Sequence, residues 1–267
     1  SFLGGWRTEG IVAIGIPGLG PSATSLNLAI IAVVAFAGGR ISGPRWKTGL
    51  ALCLGLAVIA CNTRISIGGM FVGAAVIMFF ASSGVWRIML PAAGLLGFPA
   101  LFLLNDTFKE RMFKGSSDVS VDMVLSQPAD AIGRIHGSGR FDMWQQMLDL
   151  FFASNPIVGS GTGTTQHYFY THTAGVQVIH SEFVRILIET GVVGLGLLIC
   201  AVFAYGYRLS RIYRDAYAPE TKRFALAALG GLVVYVLFMA TDNAIDYVGP
   251  GGLFVFALIG IAEKARE

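Results

Sequence analysis

Charge is what this sequence lacks. Only 13 % of its 267 residues are Asp, Glu, Lys or Arg, about half the share usual in soluble domains. At the same time 54 % are hydrophobic and the mean hydropathy is +0.67. A soluble fold has no way to hide that much apolar surface, so lipid is the natural solvent. Cysteine is nearly missing: Cys53, Cys61 and Cys200 all lie inside apolar runs, which excludes a disulfide framework and a thiolate metal site. There are four histidines but no HExxH pair, and the His167, His172, His180 spacing matches no common zinc signature. The Gly159–Gly163 stretch lacks the Lys-Ser/Thr of a phosphate loop. The net charge of +3 is too small, and its basic residues too scattered, for nucleic-acid binding. No metal, cofactor or nucleic acid is therefore expected.

The apolar runs predict an all-α, polytopic transmembrane bundle of about seven spans, near 22–38, 49–63, 65–82, 88–104, 183–207, 224–241 and 250–262. Helices are required because an open sheet edge cannot be satisfied in lipid. Three parts follow: a membrane part over 1–104, whose Gly-rich residues 1–21 form an interfacial segment leading into four spans; a long insert over 105–182; and a membrane part over 183–267 with three spans. The second and third spans form a tight hairpin with Arg64 at its tip. No Asp, Glu, Lys or Arg sits mid-span, which argues against an ion-coupled transporter.

Lys and Arg divide the loops. Arg40, Arg45 and Lys47, Arg87 in a short loop, Arg208 to Arg223, and Lys264 with Arg266 fall on one side of a seven-span chain, which the positive-inside rule makes cytoplasmic. Trp46 and Trp86 sit at that interface. Arg7, Arg64, the 105–182 insert and the 242–249 loop share the opposite side.

The insert carries all four histidines, His136, His167, His172 and His180, and is too long to be a simple connector. From Arg140 to Ala153 its pattern is helical: Met143, Trp144, Met147, Leu148 and Phe151 share one face, and Asp142, Gln145, Gln146 and Asp149 the other. This predicts a helix lying on the bundle or the headgroups, ended by Asn155-Pro156, with 159–163 as a flexible turn.

Three positions carry candidate chemistry. Arg64 is either a snorkelling interfacial arginine or, held in its tight hairpin, a bidentate ligand for a lipid diphosphate. Arg140 opens a helix, where the dipole disfavours a cation and a compensating anion is expected. His180 precedes a long apolar helix with Ser181 as a plausible N-cap and Glu182 in the first turn. The positive helix end favours a neutral ring, the form a general base requires, although a loop histidine is more often merely exposed. Arg185 and Glu189 are spaced as a local i,i+4 ion pair.

These pieces, in order, resemble the O-antigen ligase/polymerase family of polytopic bacterial glycosyltransferases. The resemblance is carried by Arg140-x3-Trp144, Pro156 to Gly161, His180-Ser181-Glu182-Phe183 and Glu189 to Gly194, and upstream by Asn62-Thr63-Arg64 and Arg7-Thr8-Glu9-Gly10. Ser181 stands where Asn often follows the histidine, and the Pro-Asn usual after the N-terminal element is missing. The chain begins at Ser1 with neither an initiator Met nor a visible signal peptide, and family members usually carry more N-terminal spans, so it is expected to be part of a longer protein. The resemblance implies a metal-independent enzyme of the bacterial inner membrane. Its active site would face the periplasm and transfer a glycan, with inversion, from a polyprenyl-diphosphate carrier to an acceptor hydroxyl. His180 would be the base, Arg64, Arg140 and Arg7 would hold the diphosphate, and Trp144 and Glu182 would support them. The acceptor would be a lipid A-core sugar for a ligase; the alternative is a polymerase joining lipid-linked repeat units. Outside the enzyme class the alternatives are a flippase or permease for the same lipid, or a non-catalytic assembly subunit.

Overall fold

The computed structural model describes residues 4–8, 11–15, 21–41, 46–61, 63–104, 126, 140–172, 178–245 and 250–266. His136, Glu9 and most of 105–139 lie outside them.

Every expected span is a helix: α1 Pro21–Arg40, α2 Trp46–Ala60, α3 Arg64–Ala81, α4 Trp86–Leu104, α7 Glu182–Asp215, α8 Pro219–Met239 and α9 Pro250–Lys264. Two shorter helices come from the insert, α5 Arg140–Met147, which continues as a π-turn over Leu148–Phe152, and α6 Thr164–His172. Four helices among the described residues, α1 from Ser22, α3, α7 and α8, are long and apolar enough to cross a membrane. Ahead of α1, residues 4–15 form an antiparallel hairpin, β1 Gly4–Thr8 with β2 Ile11–Gly15, in the register Arg7 opposite Val12.

The core belongs to α8, which packs against α1, α3, α7 and α9. Its residues Ala225 to Met239 are buried almost without interruption against Leu26, Ile30 and Val33 of α1 and Ile67 and Ile77 of α3. Lipid tails give apolar helices no hydrophobic reason to associate, so close packing must do so. Gly73 and Gly230 supply it: a Cβ on Gly230 would strike Val33 and Ile77, and one on Gly73 would press on Val234 and the Gly230 carbonyl. The outward faces of α2, α4 and α7 keep Leu52, Leu56, Leu96, Leu197 and Phe203 exposed, as lipid-facing positions require.

Neighbouring helices alternate in direction, which gives the bundle two chemically distinct ends. At one, Arg223 donates to the Ile41 carbonyl, Tyr213 to the Phe80 carbonyl and Thr221 to the Ala265 carbonyl, while Arg208 pairs with Glu263. Trp46 and Trp86 open α2 and α4 there. Arg87 lies in the first turn of α4 rather than in a loop, 4.1 Å over the Phe79 ring. At the other end are the N-termini of α1, α3, α7 and α9, the C-terminus of α8 and the insert. The Lys/Arg partition is thus a spatial one.

The expected span 183–207 is not one straight helix. Gly191 has φ 67° and ψ −169° and splits α7 into two pieces. Residues 156–161 are docked into the break: Val192 and Val193 donate to the Pro156 and Ile157 carbonyls, and Ser160 and Gly161 to those of Ile188 and Glu189. The expected flexible turn is therefore pinned. Gly159 and Gly191 both have positive φ, and a Cβ on either would collide with the opposing backbone. Only glycine allows the two chains to approach this closely.

Candidate active site

Three chain segments converge at the end of the bundle away from the basic loops: α5, the stretch leading into α7 and the turn after α8. Ser181 is the N-cap of α7, its hydroxyl accepting from the Val184 N–H at 3.3 Å. His180, one position earlier, has φ 52° and is the one non-glycine residue with positive φ among those described. Histidine tolerates that region better than most residues, but a left-handed residue costs about 1–3 kcal/mol and persists only where its surroundings impose it.

The surroundings here are α5 and the turn after α8. The His180 Nδ1 lies 3.3 Å from Oδ1 of Asp242. The Asp242 side chain is 4 % exposed and that of His180 36 % exposed. Asp242 also accepts from the Asn243 N–H at 2.9 Å. Burial pushes the Asp242 carboxyl up, but the hydrogen bond from His180, the Asn243 N–H and the positive charge of Arg140 together bring it below the usual carboxylate value. It is therefore an acceptor-only anion. Facing it, a neutral imidazole carries its proton on Nδ1 and keeps the Nε2 lone pair for another partner.

One helix holds both halves of this pair. Arg140 Nη1 donates to the Thr241 carbonyl at 2.5 Å, and Trp144 Nε1 donates to the Ile179 carbonyl at 2.5 Å. Arg140 and Trp144 are one turn apart on α5 and so share a face. Each fixes the peptide immediately before a member of the pair. The amphipathic pattern explains why α5 can do this: Met147 is buried with Phe169, Ile179 and Ile188, flanked by Met143, Trp144, Leu148 and Phe151.

The structure therefore brings together Arg140, Trp144, His180 and Glu182, and adds Asp242, which lies 62 residues beyond His180. Arg140 bonds the Thr241 carbonyl, and its charge is felt by the Asp242 carboxyl next to it. The sequence ties the neutral ring to the helix end; the tautomer of that ring is set by the Asp242 carboxylate at Nδ1. Glu182 is fully buried, accepting from the Ile245 N–H at 2.8 Å and lying 2.6 Å from Arg185; it ties α7 to the turn that carries Asp242. The expected Arg185–Glu189 pair is not formed. Arg185 turns one residue nearer, to Glu182 at i,i+3, and Glu189 instead accepts from the Thr165 hydroxyl, because α6 docks beside the break in α7.

Arg64 opens α3 at this same end, after Thr63. Two residues on, Ser66 bonds Ser25 of α1 at 2.8 Å. Arg7 lies on β1. His167 and His172 sit on the exposed side of α6, where His172 stacks on Tyr168 with ring centroids 4.6 Å apart; neither joins His180.

Comparison with known proteins places this geometry. No curated protein matches the chain. The family model described as O-antigen ligase matches residues 49–199, which is more than half the sequence and runs from α2 to the middle of α7. The match takes in Arg64, Arg140, Trp144, His180 and the Gly191 break; Asp242 lies beyond it. The family points to a membrane glycosyltransferase-like enzyme acting on lipid-linked glycans. With its membrane-spanning helices and this match, the chain is a multi-pass membrane protein that belongs to the O-antigen ligase family.

Proposed function

We propose that the protein transfers a glycan from a polyprenyl-diphosphate carrier to an acceptor hydroxyl, as a ligase with a lipid A-core acceptor. The reaction takes place on the periplasmic side of the bacterial inner membrane, the side opposite the Lys/Arg-rich loops. The observation that carries this reading is the His180–Asp242 pair, with an exposed imidazole backed by a buried carboxylate.

In the step proposed, Nε2 of His180 takes the acceptor hydroxyl proton as the oxygen attacks the anomeric carbon. The new glycosidic C–O bond forms as the bond to the diphosphate oxygen breaks, and the polyprenyl diphosphate leaves with that electron pair. A single displacement inverts the anomeric centre. Asp242 holds the Nδ1 proton and stabilises the imidazolium that forms. Arg64, Arg140 and Arg7 bind the diphosphate and balance the charge that develops as it departs, in place of a metal ion. Arg140 gives one of its five N–H donors to Thr241, so its fork can still offer donors to phosphate. Trp144 acts as a positioning residue.

The test is in vitro transfer from a lipid-linked glycan to two acceptors, a lipid A-core and a second lipid-linked repeat unit, in the presence of a chelator. Product on the first acceptor is expected, and its near-complete loss in His180→Ala with donor binding intact. Product on the second alone means a polymerase, and wild-type transfer by His180→Ala means the base is elsewhere.

A further inference from the structure

The loop docked into α7 presents a surface that glycosyl transfer does not use. Ile157 is 63 % exposed and Val158 68 % exposed, and Leu150, Val192 and Val193 beside them are each about half exposed. An aliphatic patch of this kind on an aqueous insert has no obvious reason to exist.

Its depth supplies one. The apolar stretch of α7 ends at Tyr207, just before Arg208. Counting back from there at 1.5 Å per residue, the unbroken part of α7 from Tyr207 to the Gly191 break covers about 24 Å of the roughly 30 Å hydrocarbon core. The Gly191 break then falls about 6 Å inside the opposite edge of the core. The Val192 and Val193 N–H groups donate to the Pro156 and Ile157 carbonyls at this level, so the loop is held at the same depth. The patch is also continuous with Leu197 and Phe203, the outward face of the span.

Irregular backbone is tolerated at such a depth only where its polar groups are satisfied by protein. Five backbone groups of the docked loop meet that condition. The Gly159 N–H bonds the Asn155 carbonyl, the Ser160 and Gly161 N–H groups bond α7, and the Pro156 and Ile157 carbonyls accept from α7. The polar residues Ser154 and Asn155 pair with each other at 3.4 Å at the start of the loop.

We propose that the loop Asn155–Gly161 is a membrane-dipping element, whose Ile157 and Val158 contact bilayer hydrocarbon at the edge nearest the site. It anchors the insert at a fixed depth. The inference rests on the chain's membrane-spanning helices and not on the glycosyl-transfer reading.

The test is spin labelling of the full chain reconstituted in bilayers, in a background lacking Cys53, Cys61 and Cys200. Single Ile157→Cys and Val158→Cys sites are compared with Leu197→Cys on the outward face of α7 and Tyr170→Cys on α6. Tyr170 is 84 % exposed and serves as the aqueous reference. Collisions with lipid-soluble oxygen are expected to exceed those with a water-soluble nickel chelate at 157 and 158, as at 197, with the order reversed at 170. Labels at 157 and 158 that behave like 170 overturn the proposal. So do labels shielded from both reagents, since a protein partner then covers the patch. The readout needs no substrate, so it stands or falls separately from activity.

Discussion

Asp242→Asn isolates the step on which the proposed chemistry turns. The carboxylate contacts His180 Nδ1 at 3.3 Å and the Asn243 N–H at 2.9 Å, both through Oδ1. An asparagine keeps the size, and its oxygen can keep both contacts, so the geometry is preserved. What it removes is the negative charge. The imidazolium that forms as His180 takes the acceptor proton then has no buried anion to balance it, and the proton transfer loses its support. General-base catalysis is worth about 10²–10⁴ in rate, and Asp242→Asn is expected to forfeit most of it, close to the loss in His180→Ala. Because both residues serve one proton transfer, their effects should not multiply: the double variant should be no more than about threefold slower than His180→Ala. The assay is single-turnover transfer from a radiolabelled lipid-linked glycan, with donor binding measured separately to show that the site still forms. Asp242→Asn within threefold of wild type, or a double variant whose loss is the product of the two singles, refutes the reasoning.

The other predictions follow the same geometry. Ala at Arg64 or Arg140 should lower transfer by about 10²–10³, as for loss of one oxyanion donor, with partial rescue by Lys because the bidentate fork is lost; Arg87→Ala, at the basic end, should leave the rate within a fewfold. Trp144→Phe keeps the ring but deletes the donor to Ile179, and a net hydrogen-bond worth of about 0.5–1.5 kcal/mol should appear as a roughly 2- to 13-fold fall in kcat with KM little changed. Gly191→Ala should lower Tm in detergent well below wild type, since the left-handed backbone alone costs about 1–3 kcal/mol. Gly196→Ala, with open space at its Cβ, should be neutral or stabilising. Asp242 lies below its ordinary carboxylate value, so the stability it contributes is present at neutral pH and lost as pH falls through its folded-state value, below about 4; acid titration of Tm should show that loss in wild type and not in Asp242→Asn.

The elements legible in the sequence are those written in one dimension. Apolar runs became α1 to α4 and α7 to α9, and the spacing of Met143, Trp144, Met147 and Phe151 became the buried face of α5. Ser181 as the cap of α7 and Arg64 at the first position of α3 are likewise local. What escaped is long-range. Nothing near Asp242 distinguishes it from an ordinary loop aspartate. The usable signal was topological: the 242–249 loop shares the site side with His180, and an acidic residue directly after an apolar span there is a candidate partner. The Arg185–Glu189 expectation failed for a related reason. Helical spacing permits both i,i+3 and i,i+4 pairing, and α6, invisible in the local pattern, supplied Thr165 for Glu189. The break at Gly191 hid inside a run that reads as continuous apolar helix, because the 156–161 backbone that fills it comes from a different part of the chain.

These long-range contacts share a purpose. His180 sits in a backbone conformation it does not favour, and its partner hangs on a turn two helices away in sequence. Neither position is fixed by the element it belongs to. Glu182 holds the turn after α8 to α7 through the Ile245 N–H, while Arg140 and Trp144 hold the peptides before Asp242 and His180 to the two halves of one helix turn. Helix α5 is in turn set by its packing on Ile179 and Ile188, just above the level where the 156–161 loop locks into α7. The site is thus assembled by the insert rather than by the bundle. Variants that loosen α5 or the docked loop should then lose transfer before they lose the membrane fold, which is carried by α1, α3 and α8.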